Sequence, residues 1–373
     1  MASRSTLARL AIVLLALCVM LAPAPALAQD GKPQVVASFS VLADVASRVA
    51  GDAATVTSLM PLGANPHSYT PSAQDVARLS DADHVLVAGV NYEQSLLPIV
   101  EEAAGDRMTV VSQCVPIRPI SAEPVEGGAE AESDALQGAS ASAWAERCAE
   151  HQAELDAAFG DEAAVDGAIL GPLYALSCGQ DGEADEESSD DEHAHEAASC
   201  DPHVWTDPTN AARWALMIRD TLSDLNPSAA ETYAANADAY LEELVALDGE
   251  LRALIDTIPA GRRAIVTNHA ALGYFAARYG LREAGVVIPG GSTTSEPSVR
   301  AVLTLVETIQ RQGVPAIFTE TTASDATAAQ IAAEAGVALV PLYTGSLSQP
   351  GEGAGTYLDY MRYNAAAIAD ALR

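Results

Sequence analysis

Lysine is almost missing from these 373 residues: Lys32 stands alone. With 19 Lys+Arg against 51 Asp+Glu and a net charge of −32, the chain lacks the cations that neutralise phosphates, which argues against nucleic acid as a partner. The acid excess would concentrate cations near the surface, and it serves solubility equally well. Long apolar runs are scarce too. The one at the start, Leu10 to Leu21, follows Arg4 and Arg9 and precedes the small residues of Ala26-Leu27-Ala28. That is the pattern of a cleaved export signal over residues 1–28 rather than of a membrane span. Cys18 lies inside the run behind bulky Leu17 and is read as incidental rather than lipid-bearing. No second run of spanning length follows, so the mature chain is expected to be soluble, outside the cytoplasm and monomeric.

Cysteine is sparse as well. Beyond the signal there are Cys114, Cys148, Cys178 and Cys200, an even number that in an exported chain favours disulfides. Cys178 and Cys200 bracket an acidic run, which makes Cys178–Cys200 the preferred pair and leaves Cys114–Cys148. Zinc held by all four cysteines is the rival, and the missing CxxC element weighs against it.

About 345 residues remain after the signal, enough for two domains. From Gln34 to Val111 strand-like and helix-like segments alternate with short connections, the rhythm of an α/β lobe with a largely parallel sheet. Ser72 is a plausible N-cap for a helix from Ala73. The rhythm fails at about residues 121–199, where 21 acidic residues face a single basic one, Arg147. Helices are expected there over Ser142 to Phe159 and Ala164 to Leu176, and disorder over Gln180 to Ser199. The stretch reads as an insertion into a first lobe spanning 29–227. Pro227 and Pro259 then frame a helical pattern, Ser228 to Ile258. Its apolar positions Tyr233, Ala237, Tyr240, Leu244, Leu247, Leu251 and Ile255 recur at three- and four-residue steps. About 30 residues of helix reach about 45 Å, enough to run along two lobes. The α/β rhythm returns over 259–373: a strand Arg263 to Val266, a helix His269 to Tyr279, and further strands at Ala316 to Phe318 and Ala338 to Leu342.

Three histidines share a setting. His67 follows Asn65-Pro66 beyond a strand, His203 follows Asp201-Pro202, and His269 follows Thr267-Asn268 beyond another strand. Proline stiffens the first two positions, and open α/β sheets bind ligands beyond the carboxyl ends of their strands. The three could therefore converge between the lobes on one metal. Taken singly, each is more often a polar surface residue than a ligand. His84, at a strand edge, and His151, in the insertion, are left out of the site.

Here the sequence resembles the solute-binding proteins of zinc and manganese ABC importers, the cluster A-I or TroA-like family. The motifs are Pro66-His67-Ser68-Tyr69-Thr70-Pro71, Asp201-Pro202-His203-Val204-Trp205, Thr267-Asn268-His269-Ala270-Ala271-Leu272-Gly273-Tyr274 and Thr356-Tyr357-Leu358-Asp359-Tyr360-Met361-Arg362-Tyr363-Asn364. Phe318-Thr319-Glu320, Gly290-Gly291-Ser292 and Glu296-Pro297-Ser298 also fit. The resemblance covers the mature chain apart from the acidic insertion. It implies two α/β lobes joined by one rigid helix, with a metal between them and a membrane permease as partner. His67, His203 and His269 match the first three ligand positions.

The usual fourth ligand is an aspartate after the last strand, where this chain has Gly345. Glu320, ending a neighbouring strand, is the first substitute expected, and water the second; Glu320 serving only to orient a neighbour stays open. Three imidazoles suit zinc better than manganese, and the manganese branch tends to carry a carboxylate where His269 stands. The zinc branch often has a His-rich acidic loop; here Asp181 to Glu196 holds only His193 and His195, a loose auxiliary site or simply a solvated run. Tyr357, Tyr360 and Tyr363 are read as packing residues. A secreted zinc hydrolase is the alternative from another class, since three histidines and a water are also catalytic, but no HExxH pair or evident general base accompanies them. An adhesin is a third reading.

Overall fold

The computed structural model describes residues 31–120, 139–163, 168–169, 200–288, 293 and 297–373. The strands β1 (Gln34–Ala37), β2 (Thr55–Ser58), β3 (His84–Val87) and β4 (Met108–Val110) form one sheet in the order β2-β1-β3-β4. Every pairing in it is parallel. Two short strands, β5 (Pro116–Ile117) and β6 (Ala168–Ile169), pair antiparallel beside it. The second sheet contains β7 (Ala264–Thr267), β8 (Arg282–Val286), β9 (Ala316–Glu320) and β10 (Ala338–Leu342), ordered β10-β9-β7-β8 and again parallel. Read from β8, the second sheet repeats the strand order of the first. Both are therefore wound outward from a central pair, β1 with β3 and β7 with β9, and such a reversal opens a crevice at the strands' carboxyl ends.

The helix Ala230–Ile255 is the packing spine. It buries Tyr233, Ala237, Tyr240, Leu241, Leu244, Leu247, Leu251 and Ile255, a stripe at helical spacing, against the helices Ser40–Ala50, Pro208–Leu225 and Tyr357–Leu372. Its 26 residues extend about 39 Å at 1.5 Å per residue. It begins two residues later than the sequence pattern predicts because Pro227–Ala229 forms a separate 3-10 turn. Pro33–Arg373 is one compact unit, with one core cluster running from Val35 to Leu372 and a second around β7, β9 and the helix Val299–Gln312.

Two expectations about elements are corrected, and one strand is added. The helix expected from His269 starts at Gly273, so His269 stands on a loop. Ala168–Ile169, expected within a helix, is a strand. The strand Arg282–Val286 was not foreseen. Cys114 and Cys148 are disulfide-bonded as expected. Cys200 is disulfide-bonded too, while Cys178, the partner expected for it, lies outside the described residues. So do the signal segment 1–28, most of the acidic insertion with His193 and His195, Gly290-Gly291-Ser292 and Glu296. Among the described residues no helix is long and apolar enough to cross a membrane.

Candidate metal centre

Each of the three histidines is delivered by a strand end or a capped turn. His67 sits on the loop after β2, its backbone N–H donating to Asn65 Oδ1 at 3.1 Å and its carbonyl accepting from Ser95 Oγ at 3.2 Å. The loop ends at Ser72, which forms a capping box with Asp75. His203 is fixed by Asp201: one carboxylate oxygen, Oδ1, accepts from both the backbone N–H and the ring Nδ1 of His203, each at 2.9 Å. Beyond it, Val204–Thr206 make a single 3-10 turn and Asp207 caps the helix Pro208–Leu225. His269 follows β7, anchored by the Asn268 N–H on Phe318 O at 2.8 Å. Its Nδ1 is hydrogen-bonded to Glu320 Oε1, and Glu320 Oε2 accepts from Thr344 Oγ1 at 2.6 Å.

An imidazole that donates its Nδ1 proton to a carboxylate carries its lone pair on Nε2. The Nε2 atoms face one another: His203 to His67 at 3.3 Å and His203 to His269 at 3.1 Å. All three rings are buried. Nitrogens bound to one tetrahedral zinc at 2.0–2.1 Å stand about 3.3 Å apart; both contacts of His203 match that spacing, and one ligand nitrogen from each of the three rings lies within 4.8 Å of the others. Nitrogen lone pairs brought this close repel, and a shared cation reverses the sign.

The electrostatics agree. Burial, then the neighbouring His203 and His269, holds His67 well below its ordinary pKa; burial, then His269, does the same for His203. Neutral imidazole is the form that binds metal. Burial pushes the Asp201 carboxyl up to about 7 against the backbone hydrogen bond from His203. Glu320 is pushed up by burial as well, yet His269 and Thr344 bring it below the usual carboxylate range.

The family model described as ZnuA, zinc-uptake complex component A, periplasmic, matches residues 35–371. The chain belongs to this family. It is a solute-binding component of a metal ABC importer and acts outside the cytoplasmic membrane. It is similar to the manganese-binding lipoprotein MntA of Halalkalibacterium halodurans, 27% identical over 338 residues covering 90% of this chain and 87% of that protein. It is also similar to the zinc-binding lipoprotein AdcA of Streptococcus pneumoniae, 29% identical over 344 residues, or 91% of this chain, although these span only 56% of AdcA. The periplasmic zinc-binding protein TroA of Treponema pallidum has the same fold, with a TM-score of 0.68 at 24% identity over 92% of this chain and 99% of that one.

Within this family member, Glu320 stands elsewhere than the sequence suggested. It was expected first as a fourth ligand; its carboxylate instead lies behind His269, on the ring nitrogen away from the Nε2 cluster. The reason is register: β9 ends at Glu320 beside Leu342 of β10 and close to Thr344, so the side chain is taken up by Thr344 and His269. His84 and His151 stay outside the cluster, bonded to Thr109 Oγ1 at 2.8 Å and Asp220 Oδ2 at 2.7 Å. His151 is buried.

The sequence reading missed an aromatic wall. Tyr92 packs on Phe39 and Trp205 with ring centroids 4.9 and 4.7 Å away, and meets His67 edge-on at 5.3 Å. Trp205 lies 5.5 Å from the His203 ring, and its Nε1 donates to Thr344 O at 3.2 Å. Tyr357 and Tyr360 brace it through Trp205 O at 2.7 Å and Thr344 O at 3.0 Å. The only sequence signal for Tyr92 was its place in the loop beyond a strand, five residues after Val87, where His269 stands two after Thr267.

Proposed function

We propose that this protein captures Zn2+ with His67, His203 and His269 and hands it to its membrane permease. The carrying observation is the cluster of three buried imidazoles, with His203 Nε2 at 3.3 and 3.1 Å from the Nε2 atoms of His67 and His269, the separation of nitrogens on a tetrahedral zinc. An all-imidazole set favours zinc over manganese, which prefers oxygen donors; the manganese-binding relative keeps Mn2+ as the competing cargo. Asp201 and Glu320 act as positioning residues on the outer nitrogens. The same geometry speaks against a hydrolase, because both nearby carboxylates are spent on imidazole Nδ1 atoms and neither is left as a general base.

The lobes divide at the long helix, 29–227 before it and 259–373 after it, and the protein works as a monomer. A competitive zinc titration read by native mass spectrometry tests the proposal. One tight Zn2+ per chain is expected, lost in His203→Ala. Tight zinc indifferent to His203 would sink the reading. Deleting Asp181 to Glu196, with His193 and His195, should remove only weaker additional zinc. Hydrolytic turnover by the zinc-loaded protein would favour the enzyme instead.

A further inference from the structure

Three imidazoles leave one direction of a tetrahedral ion open, and Gly345 has no side chain to fill it. The surroundings of Gly345 are already occupied. A Cβ built there would lie 2.9 Å from Tyr92 Oη, 2.9 Å from Pro66 Cγ and 3.0 Å from Pro66 Cδ. Contacts that short oblige a neighbour to move, and the Pro66 ring is held next to His67. Tyr92 thus stands where a side chain at 345 would begin.

The hydroxyl of Tyr92 is buried and has no hydrogen-bond partner among the described residues. That is costly for a polar atom, and the surrounding structure holds it there. The turn that brings Tyr92 in is left-handed at Gly89, Val90 and Asn91, with φ of 81°, 55° and 60°, a conformation that a β-branched valine seldom adopts. Glu93 clamps that turn: its carboxylate accepts from Ala88 N at 2.7 Å, Gly89 N at 3.0 Å and Ser38 Oγ at 2.6 Å. Phe39 and Trp205 then fix the ring against His67. A strained, clamped turn is holding an unpaired oxygen at the edge of Gly345, on a ring that meets His67 edge-on.

We infer that the Tyr92 hydroxyl faces the bound ion and closes its coordination sphere on the side that Gly345 leaves bare. This rests on the three-histidine reading above and assigns its fourth position. An uncharged oxygen there, in place of a carboxylate, leaves the compensating negative charge to Asp201 and Glu320 behind the rings.

The test compares Tyr92→Phe with His203→Ala in the full chain, using Zn2+ for affinity and Co2+ for its visible absorption. In Tyr92→Phe, zinc affinity is expected to fall about 10-fold or more, with a changed Co2+ band. The metal-free variant should melt no lower than the parent, because the lost hydroxyl had no partner. A purely structural hydroxyl would give the opposite pair, a lower melting temperature with affinity and Co2+ spectrum unchanged, and that result overturns the inference. So do unchanged affinity and spectrum at any melting temperature. If His203→Ala also keeps tight zinc, the histidine site itself is wrong, a failure separable from that of Tyr92.

Discussion

Glu320 meets His269 at Nδ1, the nitrogen turned away from His203, while its other oxygen takes the Thr344 hydroxyl. A carboxylate so placed sets the imidazole's tautomer and orientation and raises its basicity. Glu320→Gln should therefore weaken zinc binding about 10- to 100-fold, less than removal of the His269 ring. Chelator competition checks this: a loss as large as in His269→Ala would mark Glu320 as a ligand.

Acid should act on the metal-free protein before it empties the loaded one. In the native state, burial and neighbouring imidazoles hold His67 and His203 well below their ordinary pKa, whereas in the unfolded chain both titrate near about 6.5. Below that pH the unfolded state takes up protons that the native rings refuse, so stability rises with pH and is lost as pH falls through about 6.5. The loss levels off once pH drops below the native pKa values. Thermal melts of apo protein across that range should show the decline, and a His67→Gln, His203→Gln variant should flatten it. Zinc retention, which needs neutral rings, should hold from neutral pH to below 6.5 before it falls.

Reduction should cost the first lobe most. Cys114–Cys148 closes a 34-residue separation, and the loop-entropy relation gives about 4 kcal/mol for a loop of that size. Cys114→Ser with Cys148→Ser should lower the denaturation midpoint in urea accordingly. An unchanged midpoint would mean that the bond adds nothing to the packing around Trp214 and Ser112, whose side chains are hydrogen-bonded at 2.9 Å.

The long helix is tied to the second lobe by charge. Asp248 accepts from Arg278 Nε at 2.7 Å and Nη2 at 2.8 Å, and from the Tyr279 hydroxyl at 2.9 Å. Asp248→Ala would leave a buried guanidinium with Asp207, 3.3 Å away, as its remaining carboxylate and the Glu162 carbonyl at 2.8 Å. A loss of about 3–5 kcal/mol is expected, measured by equilibrium unfolding with and without zinc.

Much of this was legible in the sequence because it is periodic or local. The seven apolar positions assigned to the long helix are all buried, and Ser72 caps its helix as its identity suggests. The three histidines were found because proline and strand-end context travel with them. What stayed hidden depends on neighbours distant in the chain. Arg282–Val286 is an edge strand, half exposed, paired with β7 alone, and Arg-Glu-Ala-Gly-Val has no alternation to betray it. His269 looked helical because Ala270 to Tyr279 continues a helical pattern, yet it is held on a loop by Glu320, 51 residues away. Tyr92 and Gly345 carry meaning only as a pair, 253 positions apart.

The indole of Trp205, wedged between His203 and Trp214 at 5.5 and 5.8 Å, makes the protein its own indicator. Of three tryptophans, this one touches a proposed ligand and hands excitation readily to or from its neighbour. Filling the centre with a quenching ion such as Cu2+ or Co2+ should therefore dim the emission of the Trp205–Trp214 pair, while Zn2+ restores it by displacement. Cargo exchange could then be followed in real time by light, with no label attached to a chain that offers almost no lysine to carry one.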